Sequence, residues 1–184
     1  MSRYLRASLL ALLLSAAVQG VAQQPSVSPA PPPDDLQETI EWLGSQLKRY
    51  GRMNFASASD AGAFRRHSFD GMRTDGCRIT YRVKEVSSYA PTRNMDGPSG
   101  GTSYNEYSVD LRELDPALVK AERPKGWRGG QVVFSAGGGR RVLTTRDKRG
   151  KVSSYDGGTF YVSEDAALDA IAEALRRAIS MCRE

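Results

Sequence analysis

Few residues of this chain have chemistry to offer: one histidine, two cysteines and a cluster of cations between positions 140 and 151. His67 is the sole imidazole, so nucleophilic hydrolysis would need it as base, an acid such as Asp70 nearby and one serine as nucleophile. Nothing in the spacing selects that serine, and no Gly-x-Ser-x-Gly elbow is present. A small hydrolase using His67 is therefore the second reading, behind a polar strand residue. Metal sites want three or four His, Cys or carboxylate ligands, which one histidine and two cysteines do not supply, and no cofactor motif is found. The glycine clusters at 97–101, 129–130 and 137–139 are not followed by Lys-Ser/Thr and do not join a strand to a helix, so they read as turns and not as phosphate loops. Asp110, Glu113 and Asp115 are close in sequence, but strand alternation sends neighbours to opposite faces, and no carboxylate pair for glycoside chemistry can be nominated.

Arg140, Arg141, Arg146, Lys148, Arg149 and Lys151 crowd a short stretch against Asp147 alone. Such a patch can hold anionic lipid heads, an envelope polymer or an acidic protein. The same charges equally serve to keep a sheet edge solvated and unpaired. Nucleic acid is not expected, because aromatic interleaving in the patch is thin and the N-terminus points to export. Arg3 and Arg6 precede the apolar run Ala7 to Val18, and Gly20-Val21-Ala22 offers small residues for cleavage, so residues 1–22 read as a signal peptide. Loss of Arg3 and Arg6 lowers the formal net charge from +5 to +3. No later run is long enough for a membrane span. In a secreted or periplasmic chain, Cys77 and Cys182 are expected to form one disulfide.

The elements that must position these residues follow from periodicity and turn chemistry. Residues 23–33 (QQPSVSPAPPP) form a disordered, Pro-rich tether. Residues 34–184 form a single globular domain. Asp34 to Tyr50 is a helix, with Leu36, Ile40, Leu43, Leu47 and Tyr50 in one stripe and Gly51 ending it. Arg52 to Ala63 reads as a connector. Strands are expected at Ala63 to Phe69, at Gly76 to Val86, where Cys77, Ile79, Tyr81 and Val83 alternate with polar residues, and at Ser103 to Leu114. Ser87 to Thr102 reads as a long loop and Pro116 to Gly130 as irregular or one short turn of helix. A meander of four strands follows, at Gln131 to Ala136, Arg140 to Asp147, Lys151 to Tyr155 and Thr159 to Val162, joined by three Gly-containing hairpin turns.

Ser163 to Glu184 is the second helix, with Ser163 as N-cap and Leu168, Ile171, Leu175, Ile179 and Cys182 on one face. Its apolar stripe needs the strands to lie on, which sets Cys182 against the Cys77 face.

The expected fold is therefore α+β: about seven antiparallel strands packed by a C-terminal helix, with an additional N-terminal helix. This order of elements, from Ala63 to Cys182, resembles the pleckstrin-homology-like barrel, and a two-layer sandwich is the alternative. In some domains of that family a basic strand-loop region grips phosphoinositides. The stretch Ser108 to Pro116 and the helix ending in Cys182 also resemble small exported bacterial proteins. The leading expectation is a non-enzymatic exported domain that binds a protein or an anionic envelope component.

Overall fold

A computed structural model describes residues 32–56, 64–89, 99–147 and 149–184. The expected signal peptide, and all of the tether but Pro32 and Pro33, lie outside those residues, as does Lys148. The fold is α+β: two helices and two antiparallel sheets, of six and three strands. The sheets do not close into one barrel, and the sandwich alternative describes the architecture.

Helix α1 spans Leu36–Tyr50. Asp35 caps it, its carboxylate accepting the Glu38 N–H at 3.0 Å. Gly51 ends it without a positive φ. A side chain there would collide with the Leu47 carbonyl and with Phe69, so the glycine is required by close packing. Helix α2 spans Asp165–Met181 and buries the expected face from Leu168 to Cys182, together with Ala167, Ala172, Ala174 and Ala178. It therefore packs on two sides, against α1 and against the smaller sheet. Ser163 is not its N-cap. Its N–H and hydroxyl both donate to the Tyr50 carbonyl, at 2.9 and 3.1 Å, which ties the start of α2 to the end of α1.

The large sheet runs β1 (Arg52–Ala56), β2 (Phe64–Asp75), β3 (Arg78–Tyr89), β4 (Ser99–Asp110), β7 (Leu143–Arg146) and β8 (Val152–Tyr155) in that order, every neighbour antiparallel. The small sheet runs β5 (Lys120–Glu122), β6 (Gly130–Ser135) and β9 (Gly157–Val162). The connector expected from Arg52 contains β1, β2 continues to Asp75, and the expected loop contributes Ser99–Thr102 to β4. From Gly100 to Thr102 the added part of β4 is exposed on both sides, whereas β1 buries Met53 on one. Residues 87–89 of the expected loop belong to β3, and residues 57–63 and 90–98, the rest of that connector and loop, lie outside the described residues. Cys77 is not in β3. It follows Gly76 (φ +54°) in the two-residue β2–β3 turn.

The expected meander is a different object. Only the turn at 147–151 is a hairpin, pairing β7 with β8. β6 pairs with β9, so β6–β7 and β8–β9 are the two arms of one long bent hairpin. Residues 136–142 bulge from the first arm, where Gly137, Gly138 and Gly139 take positive φ. The second arm runs from Val152 to Val162 with one break, at Asp156. Gly157 and Gly158 are not turn glycines: a Cβ at Gly157 would lie 2.0 Å from the Phe134 carbonyl, and one at Gly158 2.7 Å from the Phe134 ring.

The core lies between the two sheets and under α2. Phe134, Phe160, Tyr81 and Phe69 fill the space between the sheets, with Tyr81 and Tyr107 stacked at 5.0 Å. Ile79, Val109, Leu111 and Leu114 extend it beneath the helices.

Candidate functional site

β8 and β9 each end their sheet, so among the described residues the outer edge of the second hairpin arm carries no strand. Among the described residues no backbone hydrogen bond joins that edge to β1 or β2, although β9 packs beside β1. The result is a seam. At one end α1 bridges it: the Gly51 carbonyl accepts from Phe69 of β2 at 2.6 Å, and Tyr50 accepts from Ser163 just past β9. Rings span the adjoining part. Phe55 of β1 stands edge-on to Tyr161 of β9 at 5.1 Å and to Trp127 at 5.5 Å, and His67 of β2 meets Phe55 and Tyr161, both at 5.4 Å.

Beyond these rings the seam widens into a cleft of about 250 Å³. Tyr81, Val83, Tyr107 and Leu143 contribute from the large sheet, and Leu47 and Gly51 from α1. Gly157, Gly158, Thr159, Phe160 and Tyr161 all line it. Alternate side chains of a strand point to opposite faces, so five consecutive lining residues mean that the backbone edge of β9 itself borders the cleft. Gly157 and Gly158 leave that edge bare of side chains.

The electrostatics are those of a half-dry site. Burial lowers the His67 pKa; Glu85, its cross-strand partner with Oε2 at 3.6 Å, pulls the other way, and Arg65 adds to the lowering. Burial raises Tyr107, with Tyr155, Glu85 and Tyr161 adding to the shift, and burial raises Tyr81 far above the ordinary phenol range. His67 and the phenols are therefore neutral near pH 7.

The acid beside His67 is Glu85 and not Asp70, which is ion-paired with Arg82. Among the described residues no hydroxyl is hydrogen-bonded to His67, which serves as a wedge between two rings. No group of three His, Cys, Asp or Glu side chains gathers among the described residues, and none of their helices is long and apolar enough to cross a membrane. Cys77 and Cys182 are joined by a disulfide, Cα atoms 5.7 Å apart, which fixes the β2–β3 turn to the C-cap of α2.

The expected basic patch is divided. Arg140 and Arg141 precede β7, and Arg140 Nη2 donates to the carbonyls of Glu113 and Ala136 at 3.0 and 3.4 Å. Arg146, Arg149 and Lys151 are exposed at the far end of the hairpin. The aromatic cleft was not legible as a site. Phe69, Tyr107, Tyr155 and Tyr161 lie on separate segments, and no local pattern says that they converge.

Comparison of the chain with protein-family models, with curated proteins and with solved structures finds no match.

Proposed function

We propose that this is a non-enzymatic exported domain that binds a protein of the cell envelope by taking one extended segment of it along the open seam. The observation that carries this reading is the unpaired edge of β9 bordering an apolar, aromatic cleft. Strand addition to an exposed sheet edge draws affinity from main-chain hydrogen bonds and selectivity from pockets for alternate side chains. The open edge of β9 and one pocket beside it support this reading.

The size of the cleft favours a peptide over a free metabolite. Small-molecule sites generally enclose about 300–1,000 Å³, and this one, at about 250 Å³, suits a single large side chain. The exposed aromatic residues point to the same place, whereas Val152, three residues from Tyr155, is on the other face of β8. Of the exposed Phe64, Tyr104, Trp127, Val152 and Tyr155, the first two are covered by the guanidinium groups of Arg66 and Arg82. Tyr155 and Val152 remain on β8, and Trp127 beside the ring cluster. The disulfide suits an oxidising compartment outside the cytoplasm.

The test is selection of displayed random peptides on the mature, oxidised domain. Selected peptides should slow amide exchange in 152–161 and should lose affinity for Val83→Trp, which fills the cleft, and for the rim variant Tyr155→Ala. Peptides that bind both variants as tightly as the parent would show that the seam is not the site.

A further inference from the structure

We propose that the strand received at the seam is acidic: one large apolar side chain seats in the cleft, and carboxylates about four residues away lie over the β7–β8 hairpin. This rests on the strand-binding reading above and adds the chemistry of the partner. The outer edge of the second arm is continuous from β9 into β8, because β8 also ends its sheet. A segment running along β9 past Tyr155 therefore meets β8 next and the hairpin end after it. From Tyr155 to Lys151 the chain rises about 13 Å at roughly 3.3 Å per residue, and an added strand has the same repeat.

At that end Arg146 stands opposite Glu106 of β4, whose carboxylate is taken by Arg73 at 3.3 Å. Elsewhere on the large sheet Arg65, Arg73, Arg78 and Arg82 each meet a carboxylate. Among the described residues none lies within ion-pair distance of Arg146, Arg149 or Lys151. Asp147 is the nearest acid in sequence, and its Oδ1 is occupied by the backbone N–H groups of Arg149 and Lys151, at 2.8 and 2.9 Å. Asp156 stands at the break between β8 and β9, close to the cleft, so acidic residues of the partner belong beyond Tyr155 and not beside the anchor. Unpaired cations along an open edge attract an acidic strand and steer its approach.

The probes are fluorescein-labelled peptides of extended Thr/Val/Ser background with one central Phe. Three Asp/Glu begin four residues to its N-terminal side in one probe and to its C-terminal side in another. Control peptides carry Asn/Gln in place of the acids, or Ser in place of Phe. Anisotropy titration of the oxidised domain should show one acidic probe binding at least tenfold tighter than its neutral control. That advantage should vanish at high salt and in Arg146→Glu/Arg149→Glu/Lys151→Glu, whereas Tyr155→Ala should weaken both Phe-containing peptides. Equal affinity for acidic and neutral peptides would overturn the acidic preference and leave the strand-binding reading standing. Absence of binding by every peptide would overturn both. Acidic peptides that bind without Phe and regardless of Tyr155→Ala would show an unspecific basic surface. Charge-reversed protein that self-associates with unchanged peptide affinity would show that the cations only guard the edge, and would also overturn the proposal.

Discussion

Removing the Cys77–Cys182 bridge, as Cys77→Ser/Cys182→Ser, perturbs the fold at one defined point, and its cost can be worked from topology. The cysteines are 105 residues apart in sequence. Closing a loop of that size removes chain entropy from the unfolded ensemble worth about 4–5 kcal/mol at 25 °C. Little in the native state should offset this, because the last helical turn is independently anchored: Leu175, Ala178 and Ile179 are fully buried. On the other side, the Cys77 carbonyl accepts the Leu111 N–H at 2.9 Å, so the β2–β3 turn is held without the bridge. The variant should therefore fold and lose about 3–5 kcal/mol. With a urea m-value of about 2 kcal/mol/M, the midpoint falls by roughly 1.5–2.5 M. At about 2–4 °C per kcal/mol, the melting temperature falls by roughly 6–20 °C. Urea melts followed by tryptophan fluorescence, with and without reductant, measure it. Alkylation and mass spectrometry of exported parent protein should find no free thiol. If parent and variant share one midpoint, or if faster amide exchange in residues 178–184 is the only change, the unfolded-state account is wrong.

Other perturbations test other parts of the structure. Because burial lowers the folded-state His67 pKa, the unfolded chain takes up this proton first as pH falls. Stability from this group is thus complete above about pH 6.5, the ordinary value, and declines below it as pH falls toward the lowered folded value. His67→Gln should flatten the urea midpoint between pH 7 and 5, and an unchanged slope would refute the assignment. Gly157→Ala places a methyl 2.0 Å from the Phe134 carbonyl and should cost about 1–3 kcal/mol by overpacking, whereas Gly71→Ala meets nothing within 4 Å and should melt close to the parent. Leu47→Ala, at a fully buried position, should cost about 2–5 kcal/mol; a smaller loss in thermal denaturation would mean that α1 is not firmly docked.

Legibility of the fold followed the distance over which each signal acts. α1 was readable because stripe, cap and terminator are local, α2 by its stripe, and the cysteine pair because only two exist, although Cys77 lies in the β2–β3 turn and not on the expected strand face. β1 and the start of β4 were missed because RMNFA alternates over too few residues to stand out and SGGTS carries no apolar residue; their pairing with β2 and β3 makes them strands. The two false hairpins show the same limit. Gly137–Gly139 do adopt positive φ, as a turn would, but Gly157 and Gly158 are glycines because Phe134 and Leu143 leave no room for a Cβ. Local sequence cannot separate these reasons. The Ser163 hydroxyl could cap a helix or reach back to Tyr50, and only the docked position of α1 decides.

The seam was illegible for a deeper reason: the feature that matters is a missing partner. GGTFYV reads as a strand whether one edge is paired or two. An exposed edge is a liability, since it templates pairing with other chains, and proteins commonly blunt it with charge, proline or cover. Here the defences are unequal. The end beside α1 is covered by Tyr50, Gly51 and the rings of Phe55, His67 and Tyr161. The hairpin end is charged by Arg146, Arg149 and Lys151. Between them, among the described residues, the edge of β9 has no cation and no lid, only Asp156 at its start, and it borders Tyr155, half exposed, and an apolar cleft. Protection against every partner would place a cation or a bulky side chain in that gap. On the proposed reading, protection at the flanks alone would restrict pairing to a strand with one apolar residue for the gap and acidic residues for the hairpin end, which is selectivity by exclusion.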